Sequence, residues 1–349
     1  MAKRTYNDEI DRINMEKVEI VLKELPDYVD DYFTSRKSNT TTKTRLSYVY
    51  DLRNFFKFLL SNNFKCLNYE NLFDITIADI ATLKAKDIEK YMSYLQTNEE
   101  NMNHKSGVAR KYAALSSFFD YLYRNDLILE NPCAKVLKVR PEKDTRIIRL
   151  SPDEVVKYLN AIEYGCDSFT PRQAKYLKTT AVRDLAIATL FLGTGIRVSE
   201  IVGINLSDIY LEKCQISIFG KGGKYRMVAL GDETIDALEK YLEERKKIIP
   251  ADKLSEDALF LSIQKRRISV QAVEDMISKY AEAIGVQDRI TPHKLRKTFG
   301  TELYSETGDI YLVAKSLGHN NINTTKNHYV AQDEENLLAV RNRVKLRNW

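Results

Sequence analysis

Between Glu16 and Leu137 the chain repeats its apolar side chains at helix spacing and nowhere alternates them as a strand would. Leu46, Val49, Leu52, Phe55, Phe56 and Leu59 form one such row, Ile88, Tyr91, Met92 and Leu95 a second, and Val108, Tyr112, Leu115, Phe119 and Leu122 a third. Each row is one stripe of an amphipathic helix and needs other helices to cover it. The expectation is four or five helices and no strands. Asn131-Pro132 ends the run, because the residue before a proline is pushed out of the α region. The 349 residues exceed what one core usually organises, roughly 250 to 300, so a second domain is expected.

The segment from Lys138 to Arg149 is polar, charged and interrupted by Pro141, as an exposed linker would be. Ser151-Pro152-Asp153-Glu154 then opens a helix: a serine cap, proline at the first helical position and two acids at the positive end of the dipole. The stretch from Tyr164 to Lys178 is expected as a polar, basic loop. Leu185 to Leu192 is apolar nearly all round, as a central core helix would be, with Gly193 and Gly195 ending it. Gln215 to Phe219 and Tyr225 to Leu230, around Gly220-Lys-Gly-Gly-Lys224, predict an antiparallel hairpin. Helices are expected again over 233–247, 269–284, 292–307 and 310–317. The fold class is therefore mainly α with a small antiparallel β-sheet. The expected domains are 1–139, a linker over 140–150, a second domain over 151–332, and an amphipathic C-terminal helix over 333–349.

Composition sets few limits. Lys and Arg number 54 against 49 Asp and Glu, a net charge of +5, which permits a nucleic-acid partner without demanding one. The four cysteines, Cys66, Cys133, Cys166 and Cys214, are dispersed with no zinc-ligand spacing, so reduced, mostly buried thiols and no metal are expected. No run of about 18 apolar residues occurs and the N-terminus is charged, so a cytoplasmic location away from membranes is expected.

Four histidines exist, His104, His293, His319 and His328, and the last three crowd toward the C-terminal end together with Tyr329. Ahead of them stand Arg197, Lys221 and Arg296. Guanidinium groups suit the non-bridging oxygens of a phosphodiester, since the planar fork donates paired hydrogen bonds and keeps its charge. His293 and Arg296 are spaced to share a helix face. Lys221, at a glycine-flanked hairpin tip, can reach a DNA groove and donate a proton. Taken singly, each has a plainer reading: a solvated Gly-Lys turn, a chance HxxR pair, a histidine satisfying helix-end carbonyls. Their joint occurrence in one order is what points to strand breakage through a tyrosine.

Four segments carry a resemblance: Thr194-Gly-Ile-Arg197-Val-Ser-Glu200, Gly220-Lys221-Gly-Gly-Lys224, Thr291-Pro-His293-Lys-Leu-Arg296-Lys-Thr-Phe, and Leu317-Gly-His319-Asn-Asn-Ile-Asn-Thr-Thr. They resemble the boxes of the tyrosine recombinases, the phage-integrase family that includes the Xer proteins, from about Arg149 to Tyr329. The helical N-terminal half is similar to that family's core-binding domain. The resemblance implies that Arg197, Arg296 and His319 hold the scissile phosphate, Glu200 supports them, Lys221 is the general acid, and His293 assists proton transfer. It further implies that Tyr329 attacks, giving a 3′-phosphotyrosyl bond without metal or cofactor. A two-domain C-shaped clamp on double-stranded DNA is implied too, as a dimer on one pseudo-palindromic site and a tetramer in the synapse, with 333–349 docking on a neighbour. Two positions depart from the pattern. The family places the tyrosine one residue earlier, where this chain has His328, and Lys297 replaces a frequent histidine. No tyrosine other than Tyr329 follows His319, and Tyr304 and Tyr311 are read as packing residues.

Lys43, Arg45, Arg53 and Lys57, with Lys105, Arg110, Lys111 and the hairpin's Lys224, are candidate phosphate contacts; a solvated helix face is the alternative. Arg172, Lys175 and Lys178 resemble the basic segment of Xer-like recombinases that work as a single protein. Chromosome dimer resolution in chromosome segregation, mobile-element integration or excision, and DNA inversion all remain open. The competing activities are relaxation of supercoils in the manner of a type IB topoisomerase and DNA-binding regulation by an inactive relative.

Overall fold

The computed structural model describes residues 6–61, 69–97, 103–137, 149–220, 223, 225–286 and 290–318. The chain divides into two compact units, Met1–Asp144 and Thr145–Trp349.

The described part of the first unit is helical throughout: α1 (Tyr6–Leu22), α2 (Asp27–Ser35), α3 (Thr42–Ser61), α4 (Ile77–Ala81), α5 (Ala85–Thr97) and α6 (Lys105–Arg124). Six helices replace the expected four or five, because α1 starts ten residues before Glu16 and the one-turn α4 is too short to show a period. Thr76 caps α4, its hydroxyl accepting the Asp79 amide while the Asp79 carboxylate accepts the Thr76 amide. All three apolar rows face inward, and Phe55, Phe56, Phe118, Phe119 and Tyr91 form a buried aromatic centre. Phe55 meets Tyr91 edge-on at 5.1 Å between centroids, a preferred aromatic geometry.

In the second unit, α7 (Pro152–Glu163) begins with the predicted cap, the Ser151 hydroxyl accepting the Glu154 amide and the Glu154 carboxylate accepting the Ser151 amide. α8 (Pro171–Thr194) corrects one expectation: residues 171–178 are its first two turns, not a loop. Thr170-Pro171-Arg-Gln173 is itself a capping sequence, with the Thr170 hydroxyl and the Gln173 side chain each accepting the other's amide. Gly193 stays inside the helix and Gly195 ends it. The apolar run lies at the centre of the unit, Ala186, Ile187, Leu190 and Phe191 being wholly buried, and α8 packs against α7, α10 (Asp232–Arg245) and α12 (Pro292–Thr307). Between α8 and α10 come α9 (Val198–Gly203) and a three-stranded antiparallel sheet in the order β1 (Ile209–Tyr210), β2 (Gln215–Phe219), β3 (Tyr225–Ala229). The two-residue β1 was not expected; it is too short for alternation to register. Pairing of β2 with β3 runs from Gln215↔Ala229 to Phe219↔Tyr225. The remaining helices are α11 (Val270–Ala283) and α13 (Ile310–Leu317).

Buried Asp184 ties α8 to α11, accepting from Arg183 Nε at 2.9 Å and Nη2 at 2.6 Å and from the Tyr280 hydroxyl at 2.9 Å. Burial, with the nearby Asp184 charge, pushes the Tyr280 phenol above its ordinary range. Of the three described cysteines, all free, Cys133 is buried, Cys166 half-buried and Cys214 exposed, so thiols are less uniformly buried than expected. Among the described residues no helix is long and apolar enough to cross a membrane, and no group of His, Cys, Asp and Glu could hold a metal ion.

Candidate active site

Arg197 owes its place to the end of α8. Gly195 adopts φ +60°, and its amide closes on the Phe191 carbonyl at 2.9 Å, turning the chain sharply out of the helix. A Cβ there would lie 2.4 Å from Phe299 Cδ1 and 2.8 Å from Leu317 Cδ2, so the turn needs glycine for space as well as for conformation. Two residues on, Arg197 is the cap residue of α9. Glu200 in the first turn accepts the Arg197 amide at 2.8 Å and Arg197 Nη1 at 3.1 Å.

Glu200 is 6% exposed and needs more than one partner to remain ionised there. The second is Arg226 on β3, whose Nη1 and Nη2 each donate at 2.9 Å to the two carboxylate oxygens. Burial pushes the Glu200 carboxyl up, but the Arg226 hydrogen bond, the Arg197 amide and both guanidinium charges outweigh it and hold the group below its ordinary range. The bidentate pair links the sheet to α9 across 26 residues of sequence.

Arg296 comes from α12, which starts with Pro292 at its first position. His293, on the first turn, is exposed, while Arg296 one turn deeper is 4% exposed. The Arg296 guanidinium donates from Nη1 to the Gly195 carbonyl at 2.5 Å and from Nη2 to the Leu317 carbonyl. Arg197 Nη2 lies 3.4 Å from the Gly318 carbonyl. Both arginines therefore lean on the end of α13, where Gly318 takes φ +62° and the chain passes into His319. Segments 101 and 121 residues apart are joined by these two contacts. Arg197 and Arg226 share one carboxylate, while Arg296 is held by the Gly195 and Leu317 carbonyls, so the three guanidinium groups leave surplus positive charge for an anion.

Lys221, Lys224, His319 and Tyr329 lie outside the described residues, as do residues 140–148 of the linker expected over 140–150 and the helix expected over 333–349. Lys221 belongs to the connection between Phe219 and Tyr225, where Gly223 has φ +77° and open space around it. Tyr304 is 8% exposed, as a packing residue would be, whereas Tyr311 is 73% exposed and is not one. Arg226 was missed from sequence; its only local signal was inward alternation on β3, half-buried between exposed Tyr225 and Met227.

The candidate phosphate contacts of the first unit differ in setting. Lys43 and Lys57 on α3 and Lys105 on α6 are exposed. Arg45 is buried at 9% exposure. Arg53 pairs with Glu24 at 3.1 Å and covers the Tyr50 ring. Arg110 bridges α6 to α3 by donating to both oxygens of buried Asp51, and Lys111 reaches the same carboxylate at 3.3 Å.

Residues 148–336 match the phage integrase family. The chain is similar to the tyrosine recombinase XerC of Thermodesulfovibrio yellowstonii, 33% identical over 303 residues covering 81% of this chain and 96% of the relative. It is also similar to the tyrosine recombinase XerS of Streptococcus uberis, 31% identical over 353 residues covering 93% of this chain and 98% of the relative. Among solved structures, the Tn1549 transposon integrase in complex with transposon right end DNA aligns with a TM-score of 0.63 at 19% identity, covering 88% of this chain and 98% of that one. XerH recombinase bound to palindromic difH aligns with a TM-score of 0.60 at 19% identity, covering 86% of this chain and 79% of that one.

Proposed function

We propose a mechanism for a chain that belongs to the phage integrase family and is an Xer-like, tyrosine-type site-specific recombinase. Tyr329 attacks the scissile phosphorus, the 5′ oxygen leaves, and a 3′-phosphotyrosyl bond keeps the energy for rejoining. The observation that carries this reading is the convergence of Arg197 and Arg296 on the carbonyls of Leu317 and Gly318, directly before His319. A guanidinium already anchored through some donors offers the rest, preoriented, to a phosphorane whose charge peaks in the transition state. Arg197, 37% exposed at its side chain, is the more accessible of the two.

Within this reading His319 joins the arginines on the phosphate, Lys221 protonates the 5′ oxygen, and His293, exposed at the start of α12, moves the tyrosine proton. Residues 1–139 act as the core-binding domain and 151–332 as the catalytic domain, closing as a clamp on double-stranded DNA in the cytoplasm. Two protomers occupy one pseudo-palindromic site and four form the synapse, with 333–349 joining neighbours. Strand exchange of this kind would serve chromosome dimer resolution and mobile-element integration or excision alike.

The test is a nicked suicide duplex carrying a target recovered by selection from random-sequence DNA. The unsubstituted protein is expected to form an SDS-resistant adduct and Tyr329→Phe none. An adduct that persists in Tyr329→Phe removes Tyr329 as nucleophile.

A further inference from the structure

Glu200 accepts from two arginines, and the geometry gives them different duties. Arg197 uses one side-chain nitrogen on Glu200 at 3.1 Å and keeps 37% of its side chain exposed. Arg226 places both terminal nitrogens on the same carboxylate at 2.9 Å, the parallel fork that fixes direction as well as distance. It is the less accessible cation, with its side chain 23% exposed. Without it, a buried carboxylate would have Arg197 as its one charged partner in contact among the described residues, and that ion pair would cancel the charge Arg197 offers to an anion. With it, Arg197, Glu200 and Arg226 together carry one net positive charge.

A second contact involves the same side chain. The position of a Cβ on Gly318 would lie 3.2 Å from both Cζ and Nε of Arg226, so the guanidinium lies against the backbone whose carbonyl faces Arg197. Arg226 Nε is buried with no hydrogen-bond partner among the described residues. One side chain thus touches the carboxylate that aims Arg197 and the glycine that precedes His319. It also stands on β3, the strand that follows the Lys221 connection, where Arg226 pairs with Ile218 of β2.

We propose that Arg226 is a positioning residue for strand cleavage: it neutralises and orients Glu200 so that Arg197 meets the phosphate with its charge uncancelled, and it ties the lysine hairpin to that arginine. This rests on the assignment of Arg197 as a phosphate ligand made above. No group in the proposal makes or breaks a bond.

The experiment measures single-turnover adduct formation at saturating protein on the selected nicked duplex, alongside affinity for the intact duplex. Arg226→Gln is expected to slow adduct formation by roughly 10- to 100-fold, the range found when an outer partner of a working group is lost, and to change affinity by less than about threefold. On a Glu200→Gln background the same substitution is expected to add less than about threefold, because its target is gone. Arg226→Lys keeps the charge without the fork and is expected to fall between the two; it reads the same effect where Arg226→Gln fails to fold by circular dichroism. Cleavage within twofold of the unsubstituted rate in a folded Arg226→Gln overturns the proposal, as does a loss confined to affinity, one fully additive with Glu200→Gln, or, where Arg226→Gln does not fold, an Arg226→Lys rate equal to the unsubstituted one. Absence of adduct from the unsubstituted protein instead overturns the site reading, and this inference with it.

Discussion

Substituting Gly195 by alanine tests whether the turn beneath Arg197 is as constrained as its surroundings imply. Two costs combine. Holding an L-residue at φ +60° costs about 1–2 kcal/mol. The new methyl would sit 2.4 Å from Phe299 and 2.8 Å from Leu317, which is 2% exposed, and overpacking of this kind adds about 1–3 kcal/mol. The sum is roughly 2–5 kcal/mol, which for a unit of this size lowers its calorimetric midpoint by about 4–20 °C. Gly308 provides the matched control: it ends α12 at φ +65° with nothing within 4 Å of its Cβ position. Gly308→Ala is therefore expected to cost the conformational part alone, about 1–2 kcal/mol. Scanning calorimetry of the full chain, following the transition of the second unit, compares the two. Equal losses would refute the crowding argument, and a Gly195→Ala loss under about 1 kcal/mol would refute both parts.

Asp51→Asn is expected to destabilise the first unit by about 1–3 kcal/mol, since it strips charge-assisted bonds from Arg110 and Lys111 while leaving Lys111 at 11% side-chain exposure; an unchanged urea midpoint would rule this out. Glu200 titrates below its unfolded value, so its stabilisation is complete above the ordinary glutamate pKa of about 4.3 and is lost as pH falls through the folded value. The stability gap between the unsubstituted protein and Glu200→Gln is accordingly expected to shrink on acidification below that point. A gap constant from pH 7 to the acid limit of folding would contradict the assignment.

Local signals in the sequence were legible and distant ones were not. Ser151-Pro152 marked the start of α7 because capping acts between residues three apart, and the rows on α3, α5 and α6 marked the first core because burial selects every third or fourth residue. The beginning of α8 is equally marked in Thr170-Pro171-Arg-Gln173, but the basic residues that follow have the composition of a loop. Strand β1 escaped because two residues cannot display a period. At the candidate site Arg197, Glu200 and Arg296 stood in motifs, whereas Arg226 meets Glu200 through folding alone. The pairing of Arg110 and Lys111 with Asp51, 59 and 60 residues away, likewise arises only on folding, and it gives these two candidate DNA contacts a bracing role between α6 and α3.

Arg296 holds the Gly195 and Leu317 carbonyls in the interior while standing in the motif expected to grip the substrate. Removing it would take these donors from two main-chain oxygens at the foot of the Arg197 turn, so under the proposed mechanism a crippled enzyme and a loosened scaffold would arrive together. Under the proposed mechanism, an inert variant meant to occupy its binding sequence without cutting is better made at Tyr329, where the substitution to Phe deletes a single oxygen.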